Sequence, residues 1–260
     1  MKLKTHHWGP SDWNAIVCIH GVAQHGRVFE RLGERLARAG RSVIAVDLRG
    51  HGESGREPPW NVGAHVSDIE ETLDSLGLER VSWVGHSFGG LLAAALASRP
   101  GGRRTQALAL LDPGLAVPAE QALRSAELER LDWSFATTDA AVAAVLANDT
   151  VVASPREVVA AYVEDDARQG SDGRYRFSFC PSAVVVAWSE MTLAPPPIAS
   201  VPTLFVAAER SMLSQAAQRR RYAGELGNLL TEVSVPNGHN VLWESPRETI
   251  GAVESFLAYG

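Results

Sequence analysis

The 260-residue chain has little cysteine, no long hydrophobic run and no surplus of positive charge. Cys18, in the strand-like AIVCIH, and Cys180, before Pro181, are far apart in sequence and lack metal-ligand spacing, so they read as reduced, structural thiols. The opening residues MKLKTHHWGPSDWN lack the apolar centre of a secretory leader, and no apolar stretch is long enough to span a bilayer. The expectation is a cytoplasmic protein with no membrane partner. A net charge of −6 without a clustered basic face argues against nucleic acid as a partner. The single basic run, Arg219-Arg220-Arg221, falls in a predicted helix and reads as a solvated face. No metal-ligand cluster and no dinucleotide fingerprint occur, so neither a metal nor a cofactor is expected.

What is present is enough apolar sequence, 45% of the chain, for the core of one large α/β domain. Short β-rich runs alternate with helical ones, the pattern of a mostly parallel sheet flanked by helices. Strands are predicted at AIVCIHG, SVIAVDL, VSWVGH and ALALLD, with helices at RVFERLGERLARAG, VGAHVSDIEETLDSLG and LLAAALASRP between them. From Pro113 to Pro197 the alternation stops and the chain reads as mainly helical, with a turn signal at Asp172-Gly173. It then resumes with VPTLFVAAE, a helix through QAAQRRRYAGELG, strand LLTEVSV and a last helix PRETIGAVESFLAY. The expected organisation is a core of residues 1–112 and 198–260 with a helical lid, 113–197, inserted between two strands.

Gly85-His86-Ser87-Phe88-Gly89 matches G-x-S-x-G at a strand-to-helix junction, where a nucleophilic serine needs small neighbours and a helix N-terminus behind it. A nucleophile also needs a base. His239, in Asn237-Gly238-His239-Asn240 after a late strand, is the candidate, with Gly238 letting the loop turn toward Ser87.

With His20-Gly21 after a strand and the loop Gly50-His51-Gly52-Glu53-Ser54, these stretches resemble the α/β-hydrolase fold superfamily, in particular its serine esterase and lipase-like members with a helical lid. The resemblance covers essentially the whole chain. It implies an active site at the carboxyl ends of the strands and an oxyanion hole formed by the backbone N–H groups of Val22 and Phe88. It implies structural roles for His20, His51 and His86. The family's usual acid follows the strand VPTLFVAAE in a Gly-Glu-x-Asp pattern, but here the chain reads Ala208-Glu209-Arg210-Ser211. Asp112, at the end of LALLD, is the first candidate to replace it, Glu209 the second, and the absence of any acid a third possibility.

His25, Trp133, Phe135, Trp188 and Met191, with Phe177, Phe179, Trp243 and the side chains of Val22 and Phe88, are candidates for an apolar substrate pocket. No charged residue stands out as an anchor for a charged substrate. The implied activity is hydrolysis of a small apolar carboxylic ester through an acyl-enzyme on Ser87. Lactonase, thioesterase, amidase and perhydrolase chemistry use nearly the same parts. A ligand-binding or regulatory protein with little turnover is the reading from another class, kept open by Ser211.

Overall fold

A computed structural model describes residues 1–12, 14–100, 104–148, 151–213 and 216–258. Its centre is a seven-stranded sheet. In chain order the first strands are β1 (Thr5–Trp8), β2 (Asn14–Ile19), β3 (Ser42–Val46), β4 (Arg80–His86) and β5 (Thr105–Leu111). Three two-residue strands follow in the insertion, β6 (Ser134–Phe135), β7 (Arg168–Gln169) and β8 (Tyr175–Arg176). β9 (Thr203–Ala208) and β10 (Leu230–Val235) complete the large sheet. Its order is β1-β3-β2-β4-β5-β9-β10, antiparallel only where β1 meets β3.

The helices of this core are α1 (Glu30–Arg38), α2 (Val62–Ser75) and α3 (Phe88–Ala97). The inserted segment contributes α4 (Ala119–Glu129), α5 (Thr138–Leu146), α6 (Arg156–Asp166) and α7 (Pro181–Glu190). α8 (Ala216–Leu226), the four-residue α9 (Val241–Glu244) and α10 (Pro246–Ala258) close the chain. Gln215 and Tyr259, read from the sequence as the ends of two of these helices, lie outside the described residues. In α8, Arg219 pairs with Glu232 and Arg221 with Glu225, while Arg220 is exposed.

The inner strands β2, β3, β4, β5 and β9 are mostly apolar and buried because helices cover both faces of the sheet. Alternation along β2 divides the core: Ala15, Val17 and Ile19 pack with Ile69 and Leu73 of α2, whereas Ile16 and Cys18 pack with Leu32 and Leu36 of α1 and Val253 of α10. Between β5 and β9 the described residues are mainly helical, with one addition. A three-stranded antiparallel sheet, β6-β8-β7, is built on a hairpin around Asp172-Gly173, where Gly173 takes φ +77°. The turn signal was legible; the strands beside it are too short to show a period of two.

Asp47, just past β3, ties the loops together at one end of the sheet. Its carboxylate accepts from His6 Nε2 at 2.8 Å, Gly26 N at 2.7 Å and Glu53 N at 2.9 Å. Burial would push its pKa up, but these three donors prevail and hold it below the ordinary carboxylate range. Parallel strands bring the carboxyl ends of β2, β4, β5 and β10 to this same end.

The junction from β4 to α3 passes closest to its neighbours at Gly85 and Gly89. A Cβ on Gly89 would stand 2.0 Å from the carbonyl oxygen of Ile19, and one on Gly85 would stand 2.3 Å from that of Gly89. Both obstacles are backbone and cannot swing away. Gly89→Ala is therefore expected to cost about 3 kcal/mol or more in chemical denaturation. Gly224→Ala, in α8 with nothing within 4 Å of the added atom, is expected to gain up to about 1 kcal/mol. Equal stabilities for the two variants would contradict this account of the elbow.

Candidate active site

Ser87 follows the last residue of β4 with φ 53° and ψ −120°, and the next residue starts α3. A non-glycine residue seldom adopts this conformation, and it lifts the serine hydroxyl out of the strand-to-helix turn. Of the five non-glycine residues with positive φ among those described, Ala23, Ser87 and Asp112 lie at this end of the sheet, and Asn237 lies in the loop carrying His239. Such strain persists where surrounding contacts enforce it.

Those contacts form a continuous chain. His239 Nε2 is 2.8 Å from Ser87 Oγ, and His239 Nδ1 is 2.6 Å from Asp112 Oδ2. Asp112 is wholly buried, and its second oxygen accepts the Ala208 N–H at 3.1 Å. The Ser211 hydroxyl donates to Asp112 Oδ2 and in turn accepts the Leu213 N–H at 3.0 Å. The position where the family's usual pattern has its aspartate thus holds a hydrogen-bond donor to an aspartate on the neighbouring strand. Glu209 is exposed, and its backbone N–H is bound to the Val235 carbonyl at 2.9 Å. Among the described residues its carboxylate makes no hydrogen bond or ion pair with His239, whose Nδ1 is on Asp112.

The His239 loop is shaped differently from the sequence expectation. Asn237, not Gly238, takes the positive φ, at 71°. Gly238 matters for closeness, since a Cβ there would stand 2.8 Å from Glu244 Oε2. Buried Glu244 accepts the Gly238 N–H at 2.7 Å and the Val152 N–H at 3.0 Å, joining this loop to the insertion.

The Gly21–Gln24 loop is held from several sides. His20 donates from Nδ1 to the Gly21 carbonyl at 2.7 Å and accepts the Leu48 N–H on Nε2 at 2.9 Å, which fixes its tautomer. His51 accepts the Ala23 N–H on Nε2 at 3.3 Å, and the Tyr162 hydroxyl of α6 donates to the Ala23 carbonyl at 2.8 Å. Gln24 Oε1 accepts the Gly21 N–H at 3.1 Å. Burial drives the His20 pKa well below its usual value and that of His51 down to about 4. Burial, reinforced by the neighbouring His239, puts His86 at about 3. All three are neutral supports at neutral pH, and His86 Nε2 donates to the His239 carbonyl at 2.9 Å. Among the described residues the N–H groups of Val22 and Phe88 have no hydrogen-bond partner.

Above Ser87 the insertion and the sheet enclose a cleft of about 680 Å³, counting its open mouth. Trp133 and Trp188 line it, as do Phe177, Phe179 and Trp243. Three residues expected there are elsewhere. Phe135 lies a layer behind, against Trp133 and Phe177 with ring centroids 6.0 Å away. Met191 is buried under Gly114. His25 stacks on the far face of Tyr162, at 5.1 Å, and lines a neighbouring groove. Val22 lines the cleft, but the Phe88 ring is fully buried against His65. Their chain positions do not reveal which side of the insertion faces the sheet.

Gln24, Tyr162, Ser211 and Glu129 were not expected at this site. Gln24 and Tyr162 carry no motif, and Ser211 drew notice only as a missing acid. Among the described residues no helix is long and apolar enough to cross a membrane, and no group of three or more His, Cys, Asp or Glu is placed to hold a metal ion.

Comparison with known proteins agrees with this architecture. The chain is 31% identical over 270 aligned positions to lipase LipV of Mycobacterium tuberculosis, covering 99% of this chain and 98% of the relative. It is 24% identical to esterase YbfF of Escherichia coli over 93% of this chain and 92% of that protein. The crystal structure of E-2-(acetamidomethylene)succinate hydrolase superposes with a TM-score of 0.85 at 24% identity, covering 98% of this chain and 95% of the other. The family model for the alpha/beta hydrolase fold matches residues 14–246, and the chain belongs to that family.

Proposed function

We propose that the protein is a serine hydrolase that cleaves carboxylic esters. The observation that carries this reading is the unbroken hydrogen-bonded chain Ser87–His239–Asp112 at the floor of an aromatic cleft. Neutral His239 takes the Ser87 proton on Nε2 as Oγ attacks the ester carbonyl. Asp112, bound to Nδ1, fixes the tautomer and stabilises the imidazolium that forms. The oxyanion falls to the N–H groups of Val22 and Phe88, the latter at the N-terminus of α3. Each such donor is worth about 3–4 kcal/mol in the transition state. Collapse expels the alcohol, protonated by His239, and leaves an acyl-Ser87. A water deprotonated by His239 then releases the acid and restores the serine.

Esters are favoured over other acyl substrates because two relatives aligned over almost the whole chain are named a lipase and an esterase. The binding-protein alternative drew on Ser211 standing where an acid is usual. With Asp112 on His239 and Ser211 supporting Asp112, that motive is gone.

On p-nitrophenyl esters from acetate to decanoate, Ser87→Ala is expected to abolish turnover. Asp112→Asn should lower kcat by about 10³–10⁴-fold, and Glu209→Gln should change it by less than about twofold. A collapse in Glu209→Gln with Asp112→Asn near native would move the acid to Glu209. Ser211→Ala removes one hydrogen bond to the acid and is expected to lower kcat about tenfold or less with little change in KM. If Ser211→Ala matched Asp112→Asn, the serine would be more than a support.

A further inference from the structure

Among the described residues Glu129 is the one carboxyl group lining the cleft, and the proposed hydrolysis gives it no task. It is the last residue of α4, and it has no hydrogen-bond or ion-pair partner among the described residues. The arginines of its own segment are engaged elsewhere, Arg124 with Glu120 at 3.4 Å and Arg130 with Glu127 at 2.6 Å. Among the described residues no arginine or lysine lines the cleft. Glu129 retains some solvent exposure, yet loss of hydration around its carboxyl pushes the pKa up to about 7. The negative end of the α4 dipole further disfavours a carboxylate there and favours a cation.

The rest of the wall has the same preference. Tyr162 lies between Phe177 and Trp243, with ring centroids at 6.2 Å and 4.9 Å, and Trp133, Trp188 and Phe179 extend the surface. Aromatic faces carry negative charge density and attract cations, alkylammonium groups in particular. An apolar ester would satisfy the rings and leave the carboxyl stranded. An ester bearing an alkylammonium group satisfies both. Among the described residues the buried indole N–H of Trp188, another residue of the cleft wall, also has no partner.

We propose that Glu129 selects esters that carry an alkylammonium group, holding the cation between its carboxylate and the aromatic wall of the cleft. The proposal rests on Ser87 being an ester-cleaving nucleophile, and it makes Glu129 a specificity-determining residue outside the proton-transfer chain.

The test uses two isosteric pairs followed by kcat/KM. One pair carries the charge on the alcohol, butyrylcholine against 3,3-dimethylbutyl butyrate. The other carries it at the acyl tip, p-nitrophenyl 6-(trimethylammonio)hexanoate against p-nitrophenyl 7,7-dimethyloctanoate. The native protein is expected to favour the cation about tenfold in at least one pair, and Glu129→Gln to erase that preference, chiefly through KM. A ratio within one pair cancels general damage to the variant. Preference for the neutral ester in both pairs, or a cation preference that survives in Glu129→Gln, would overturn the proposal. Absence of turnover on every ester would instead count against the ester-hydrolase reading. Calorimetry of butyltrimethylammonium with Ser87→Ala and with Ser87→Ala/Glu129→Gln decides the binding claim without turnover: affinity about tenfold weaker in the double variant supports it, and equal affinity overturns it.

Discussion

The hydrogen bond between His239 and buried Asp112 is the constraint around which the site is organised. Asp112 lies at the end of β5, beside β9, so its carboxylate reaches the turn that follows β9. There the Ala208 N–H and the Ser211 hydroxyl hold it. Burying a carboxylate is costly unless donors replace its lost water, and this arrangement supplies three: a backbone N–H, a hydroxyl and the imidazole. With Asp112 fixed, Nδ1 of His239 is committed and Nε2 is left facing Ser87. Ser87, strained at the elbow, presents its hydroxyl at the distance that the imidazole requires.

Around that axis the protein uses neutral histidines as struts. His20 and His51 brace the loop carrying Val22, and His86 braces the backbone of His239. Burial keeps each uncharged at neutral pH. Tyr162 and Glu244 link the insertion to the Gly21–Gln24 loop and the His239 loop, so the inserted segment is fastened to the loops around Ser87 and His239.

Much of this was legible in the chain because the signals are local. Gly85, Ser87 and Gly89 stand within five residues, and His239 follows a strand by a short loop. The alternation of strands and helices predicted the mostly parallel sheet flanked by helices. The acid was harder to read, since choosing between Asp112 and Glu209 depends on which strand β9 neighbours and which way its following turn faces. Ser211 looked like a loss when read against a linear pattern; in space it is a donor to the carboxylate. The cleft was read least well. Phe135 and Met191 have the composition of a pocket wall but face the packing behind it, while Glu129 ends an ordinary amphipathic helix with nothing nearby in sequence to mark it.

The most direct measurement of the central claim is mass spectrometry of protein acid-quenched during steady-state turnover of p-nitrophenyl butyrate. The account predicts a butyryl adduct on the peptide containing Ser87, formed by the native protein and absent from Ser87→Ala. Turnover with the adduct on a different residue, or turnover with no covalent adduct on a time scale where hydrolysis of the intermediate limits the rate, would contradict it.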